Sequence, residues 1–257
     1  MQAIIIFDID GVIRDVGNSY RKAIADTVEH FTEGGWRPTM EDLDNLKSEG
    51  IWNNDWEASQ ELTYRYFEAM DKTRAEVGLN YDRIVEFFQE RYRGKHPELF
   101  DGYIADEPLL VSPSYFEQLS NNQIGYGFFS GATRGSAEFT IKHRLKLDNP
   151  TLVAMEDAPS KPDPVGMFDA ISQIETTPNN IPAFYLGDTV ADMYTVVKAR
   201  ESKSERKWIA VGILPPHVQV SQTRKEDYAQ KLMAAGAEIV LSNVEKLDSA
   251  MITELIA

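Results

Sequence analysis

Four short stretches carry side chains whose types and spacing suit chemistry on an anion. The first is Phe7-Asp8-Ile9-Asp10-Gly11. Residues two apart on an extended chain point the same way, so Asp8 and Asp10 could divide the roles of nucleophile and acid/base. Two local readings stand beside this one. Asp10-Gly11 between apolar residues is a hairpin signal, and a turn there is compatible with function. Asp-x-Asp-Gly also suggests a calcium loop, but seating Gly11 at that loop's glycine puts Ile6 first and Gly17 last, where carboxylates are required.

The second stretch is Phe128-Phe129-Ser130-Gly131-Ala132-Thr133-Arg134-Gly135, an apolar run passing into a helical pattern. Ser130 and the amides that follow, Gly131 first, could cradle a phosphate at a helix N-terminus. A Walker loop is excluded, because Ser136-Ala137-Glu138 stands where Gly-Lys-Ser/Thr would be needed. The plainer reading is that Ser130 or Thr133 caps the helix. In the third stretch, Ser160-Lys161-Pro162-Asp163-Pro164, the prolines suit a helix start. A lysine in a helix's first turn opposes the macrodipole, so Lys161 implies an anionic partner unless it is only a solvated surface residue. The fourth is Leu186-Gly187-Asp188-Thr189-Val190-Ala191-Asp192. Thr189 and Asp192 have the spacing of a capping box, and Asp188 could be an N-cap.

Caps do not explain why aspartates recur where β-rich runs end, which is the edge of an open α/β sheet where ligands bind. Asp8, Asp10 and Asp188, with Asp192 close behind, would crowd like charges into one crevice and raise their pKa values unless a cation compensates. Hard oxygen donors suit Mg²⁺, which keeps waters and completes its shell with a substrate oxygen.

The elements that must position these residues are also written in the chain. Apolar runs at Ala3–Phe7, Ile124–Phe129, Thr151–Met155, Ala183–Leu186, Trp208–Ile213 and Glu238–Leu241 read as buried strands. Helical patterns at Ser136–Leu145, Val165–Ile174, Asp192–Ala199 and Lys225–Ala235 alternate with the later strands, which predicts an α/β, doubly wound parallel sheet with a Rossmann-like core. Between Asn18 and Arg93 only helical stretches occur: Tyr20–Phe31, Thr39–Ser48, Ala58–Met70 and Tyr81–Tyr92. These predict an inserted all-helical domain over residues 17–94, bounded by Gly17 and Gly94, within a core of residues 1–16 and 95–257.

Composition narrows the partners. With 41 acidic against 26 basic residues, a net charge of −15 repels nucleic acid and anionic membranes. An anionic substrate would then have to be held by local cations and oriented amides. The absence of cysteine removes disulfides, thiolate zinc sites and cysteine nucleophiles, and suits a reducing compartment. The four histidines have no metal-ligand spacing. The apolar start is interrupted by Asp8 and Asp10 well short of a signal-peptide core, so a cytoplasmic protein is the expectation.

Taken in order, these motifs resemble those of the haloacid dehalogenase superfamily of phosphohydrolases. Phe7-Asp8-Ile9-Asp10-Gly11-Val12-Ile13 is similar to its first motif, Ser130 to its second, Lys161-Pro162 to its third, and Gly187-Asp188 with Asp192 to its fourth. The resemblance implies that the helical insert is a cap, and that Asp8 attacks phosphorus while Asp10 protonates the leaving oxygen and later activates water. It also implies Mg²⁺ held by Asp8, the Asp10 main-chain carbonyl and Asp188, with Asp192 orienting that shell. Ser130, Gly131 and Lys161 would hold the phosphoryl oxygens. Asp10 argues against the dehalogenase branch, and no cap lysine of a phosphonate-cleaving type is identifiable.

The expected activity is a Mg²⁺-dependent phosphatase of a small phosphorylated metabolite. A β-phosphoglucomutase-type phosphomutase shares the first motif, and a receiver-like phosphoacceptor module would gather similar groups without turnover. Trp52-Asn53-Asn54-Asp55-Trp56 suits either a small-molecule lid or core packing, and Arg14 and Arg134, next to motif residues, could reach substrate.

Overall fold

The computed structural model describes residues 1–52, 54–96, 99–175 and 180–257. Strand β1 (Ala3–Phe7) is followed by helices α1 (Tyr20–Phe31), α2 (Met40–Lys47), α3 (Asp55–Glu68), α4 (Arg74–Val77) and α5 (Tyr81–Tyr92). Then come α6 (Pro113–Asn121), β2 (Ile124–Phe129), α7 (Arg134–Glu138) with a π-helical continuation at Phe139–Arg144, β3 (Thr151–Val153) and α8 (Val165–Ile174). The chain closes with β4 (Ala183–Gly187), α9 (Val190–Ser202), β5 (Trp208–Ile213), α10 (Gln222–Ala234), β6 (Ile239–Leu241) and α11 (Ser249–Ile256).

The six strands form one parallel sheet in the order β3-β2-β1-β4-β5-β6, the doubly wound arrangement expected from the sequence. All five residues of β1 are buried, as a strand covered on both faces requires. Ile4 and Ile6 pack with Phe129, Met167, Tyr185 and Val196, while Ala3, Ile5 and Phe7 pack with Phe116, Phe128 and Phe184 on the opposite face. β1 pairs with β2 on one side and β4 on the other, so the winding reverses beside it and opens a crevice at the strand C-termini. Phe7 lies in register with Phe128 and with Leu186, which brings residue 8 level with the ends of β2 and β4.

Several boundaries differ from expectation for local reasons. β3 stops at Val153 because the Ala154 amide turns to Asp157 Oδ2 at 2.7 Å and the Met155 amide to the Ala132 carbonyl. α9 begins earlier than Asp192, at the Thr189 capping box, and α10 begins at the Ser221 cap. The helix expected over Ser136–Leu145 starts at Arg134 and widens at Phe139. There the Ser136 carbonyl accepts from the Thr140 hydroxyl at 3.3 Å and from Arg14 at 3.4 Å, competitors that loosen a regular helical ladder.

The chain divides into two compact units, Met1–Asp15 with Pro108–Ala257, and Val16–Glu107. The second contains no strand among its described residues and is cored by Ala23, Ile24, Val28, Leu46, Leu62, Ile84 and Phe88. It extends past Gly94 because the Gly102 amide returns to the Arg93 carbonyl and Tyr103 donates to Asp26 at 2.6 Å. α3 starts at Asp55, capped by the Asn54 side chain; Asn53 lies outside the described residues. The single turn α4, absent from the sequence expectation, is held by a Thr73–Glu76 capping box and ended by left-handed Gly78. Among the described residues no helix is long and apolar enough to cross a membrane.

Candidate active site

The Asp8–Asp10 segment is a tight turn. The Ile9 carbonyl receives the amides of Val12, Ile13 and Arg14, and the Gly11 amide returns to the Arg14 carbonyl at 2.9 Å. Asp10-Gly11 thus lies in a turn but not in the β-hairpin its sequence suggests, since β1 pairs in parallel with β2 and β4, and Asp8 stands immediately beyond β1. The Asp8 amide still bonds the Leu186 carbonyl at 2.8 Å, so its main chain is fixed by the sheet.

Three aspartates meet here. Asp8, Asp188 and Asp192 are all buried, and each offers a carboxylate oxygen within 4.8 Å of the others. Lys161 Nζ stands 2.9 Å from Asp8 Oδ1 and 2.6 Å from Asp192 Oδ1. Lys161 lies in the loop before α8 and not in that helix's first turn, so the macrodipole argument does not apply to it. Its anionic partners are these two carboxylates. Burial works against its charge, but Asp192 and Asp8 outweigh burial and hold its pKa well above the usual lysine value. Burial pushes the Asp8 carboxyl up, Lys161 opposes this, and the nearby Asp192 and Asp10 charges add to the rise; the result is about 7, against 3.8 ordinarily.

Asp192 fills two roles at once. Its Oδ2 closes the Thr189 capping box, accepting from the amide at 2.9 Å and the hydroxyl at 2.6 Å, while Oδ1 accepts from Lys161 and from Tyr185 at 3.2 Å. Both oxygens are thus committed. Asp8 Oδ1, by contrast, has its ion pair with Lys161 but no well-directed hydrogen bond. A buried set of carboxylate oxygens in which Asp8 retains acceptor capacity is the donor chemistry of a hard divalent cation, so these residues fit Mg²⁺. Asp192's saturation suits it to holding neighbours more than to binding metal directly. Asp188 is not an N-cap; Thr189 is. The Asp188 carbonyl is held by the Tyr228 hydroxyl at 2.9 Å.

Ser130 directly follows β2 and is buried. Its hydroxyl accepts from the Ala132 amide at 3.1 Å, which folds the loop over itself and leaves Gly131 exposed. Neither hydroxyl is a helix cap: Thr133 makes no side-chain cap bond, and the Arg134 amide donates instead to Glu156 at 2.9 Å. Asp10 lies at the rim, its Oδ1 accepting from Arg14 Nε at 2.7 Å.

The two arginines next to motif residues differ in exposure, Arg134 being partly exposed. Arg14 is wholly buried, and Arg134 pairs with Asp157 and Glu138. In the helical unit, Trp52 donates to Glu49 at 2.8 Å, the acid that also holds Arg65. Tyr185 was not singled out from the sequence. Its hydroxyl bonds the Phe129 carbonyl at 3.0 Å as well as Asp192, tying β2 and β4 together beneath Lys161. The signal was available: a tyrosine in an otherwise apolar buried strand needs a partner for its hydroxyl.

The fold and the site define an α/β protein with an acid and lysine cluster at the switch point of its sheet. No protein-family model matches the chain. The chain superposes over 99% of its length on a phosphonoacetaldehyde hydrolase-like protein from Oleispira antarctica (92% of that chain, TM-score 0.67, 17% identity). It matches phosphatase Tt82 of Thermococcus thioreducens over 88% (98% of that chain, TM-score 0.64, 23% identity). A HAD family hydrolase of Deinococcus radiodurans R1, solved with bound phosphate and sodium, is matched over 99% (96% of that chain, TM-score 0.66, 15% identity). The chain has the haloacid dehalogenase hydrolase fold, with a helical unit inserted after the first strand.

Among curated proteins it is 28% identical over 243 residues to an imidazoleglycerol-phosphate dehydratase of Phytophthora nicotianae. That match takes in 93% of this chain but spans about half (50%) of the relative's length.

Proposed function

We propose that this protein is a Mg²⁺-dependent phosphatase that hydrolyses a small phosphorylated metabolite through an aspartyl phosphate on Asp8. The observation that carries the reading is the buried cluster in which Lys161 pairs with both Asp8 and Asp192 while Asp188 lies alongside. Phosphoryl transfer needs an oxygen nucleophile, a means of offsetting charge on the equatorial oxygens, and a proton donor for the leaving group. The cluster and its rim supply each.

In the first step an Asp8 carboxylate oxygen bonds to phosphorus as the bond from phosphorus to the ester oxygen breaks, and Asp10 gives its proton to that departing oxygen. Lys161, Ser130 and the Gly131 amide hold the phosphoryl oxygens. In the second step Asp10 takes a proton from water, the water oxygen bonds to phosphorus, and the bond to Asp8 breaks to free inorganic phosphate. Asp8, Asp188 and the Asp10 carbonyl would hold Mg²⁺, with Asp192 keeping Lys161 and Thr189 in place around it. When bound, the ion neutralises charge on the transferring group and draws Asp8 toward its ionised form.

The dehydratase name of the longer relative is not carried over to this chain, because the grouped residues here are acids and a lysine suited to phosphorus. A panel of phosphorylated metabolites assayed with and without Mg²⁺, beside Asp8→Asn, tests the reading. The expected result is Mg²⁺-dependent phosphate release that the substitution abolishes; equal release by both proteins would sink it. An isomerised phosphate ester without phosphate release would indicate a phosphomutase instead.

A further inference from the structure

Arg14 heads the large side chains that are fully buried among the described residues, and it lies four residues beyond Asp10 in the same turn. A buried guanidinium is retained only where its donors are met. Here Nε reaches Asp10 Oδ1 at 2.7 Å, Nη1 the Thr140 hydroxyl at 2.8 Å and Nη2 the Ser136 hydroxyl at 3.0 Å. The main chain is clamped as well: the Gly11 amide bonds the Arg14 carbonyl, and Ile13 and Asp15 on either side bond Leu110 and Pro108 of the returning segment. Ser136 and Thr140 belong to the helix that follows the Ser130 loop, at the point where it widens. One rigid cation therefore ties the turn after β1 to the helix after β2.

Asp10 itself is only partly buried, its side chain 28% exposed, so without a partner it would sample several rotamers. Proton transfer demands a carboxyl within hydrogen-bond reach of one oxygen of the ester. We propose that Arg14 is the positioning residue of Asp10: it holds Oδ1 and so reserves Oδ2 for the proton that passes to the leaving group and returns from water. This rests on the phosphatase reading above, in which Asp10 is the acid and base. It also explains why the arginine is inside the protein and not at its surface, where it would face substrate.

The test uses the dependence of rate on the leaving group. Esters whose alcohols leave readily need little help from an acid, whereas alkyl esters need it most. Wild type, Arg14→Gln and Arg14→Lys are compared with Mg²⁺ on 4-nitrophenyl, phenyl and ethyl phosphate. Arg14→Gln is expected to lower kcat/KM, which ends with departure of the alcohol and so excludes the hydrolysis of the aspartyl phosphate common to all three esters, by roughly 10²-fold on ethyl phosphate but less than ~5-fold on 4-nitrophenyl phosphate, and Arg14→Lys to recover part of the loss. A merely structural arginine would lower all three rates alike, and that result, or no loss at all, overturns the inference. Should Arg14→Gln not fold, the Ser136→Ala/Thr140→Val double variant, which loosens the guanidinium but leaves it in place, is expected to give the same steepening; a parallel decline there overturns it equally. Failure of the underlying reading looks different: wild type would then show no Mg²⁺-dependent hydrolysis of any of the three esters.

Discussion

Gly11 approaches Asp188 so closely that a β-carbon on it would lie 2.1 Å from the carboxylate Oδ2. Gly11 also has φ +76°, a left-handed conformation that side chains disfavour. The turn after β1 and the end of β4 are thus in contact through a residue with no side chain, and two separate constraints call for glycine at one position.

Gly11→Ala is therefore expected to destabilise the protein by more than ~2 kcal/mol, since backbone strain of about 1 kcal/mol is joined by a clash with a buried acid. Gly34→Ala is the control, having φ +80° but open space around it. It should show the backbone part alone. Urea unfolding of both variants reads the difference, and equal losses would mean that the contact with Asp188 is of no consequence.

Asp8 carries a stability cost whose sign can be worked out. Its carboxyl titrates near 7 in the metal-free fold and near 3.8 ordinarily, because burial outweighs the attraction of Lys161. Between those values the folded state binds more protons than the unfolded one, so stability falls as pH rises from about 4 to about 7 and then levels off. The full effect is on the order of 4 kcal/mol. In EDTA, Asp8→Asn should unfold at a higher temperature than wild type at pH 8, with the gap closing toward pH 4. A gap independent of pH would refute the assignment of that strain to Asp8.

Much of this arrangement could be read beforehand, and what could not has a common cause. Ala3–Phe7, Ile124–Phe129 and Trp208–Ile213 stand out as strands because consecutive apolar residues report burial on both faces, and α1, α5 and α8 show their ends through helical periodicity. The gathering of Asp8, Asp188 and Asp192 was legible in aspartates that recur where strands end, whereas Lys161 was tied to them only by the family resemblance. The burial of Arg14 is not legible in the sequence, because its partners Ser136 and Thr140 are distant along the chain and nothing local says that an arginine will be buried. The π-helical widening at Phe139 has the same origin. The proline pattern around Lys161 points to a helix start, yet the helix begins only at Val165, since prolines mark the neighbourhood of a helix start but not its first residue.

Tyr185 offers a test of the layer beneath the cluster. Removing its hydroxyl in Tyr185→Phe leaves the Phe129 carbonyl without that donor and deprives Asp192 of one bond, while the ring still lies under Lys161 Nζ, whose distance to the ring centroid is 5.5 Å. An unsatisfied buried acceptor costs about 1–3 kcal/mol, and the cation–π contact is kept. A loss in that range is expected in denaturant unfolding, with hydrolysis reduced no more than ~10-fold. Loss of all activity in a folded variant would show that the hydroxyl takes a direct part in the reaction.

Mg²⁺ should stabilise the folded protein through Asp8 and Asp188. A ligand at one hundred times its Kd adds about 2.7 kcal/mol, enough to read as a rise in melting temperature. Asp188→Asn is expected to remove most of that rise. Asp169→Asn, an exposed acid outside the cluster, should retain it. Because protonation of Asp8 competes with the ion, the concentration of Mg²⁺ needed for half the rise should increase as pH is lowered through about 7. Thermal unfolding across a Mg²⁺ series at pH 6 and pH 8 measures both effects. If Asp188→Asn responds as wild type does, the acids at this sheet edge do not hold the metal, and Mg²⁺ would have to act, if at all, only with bound substrate.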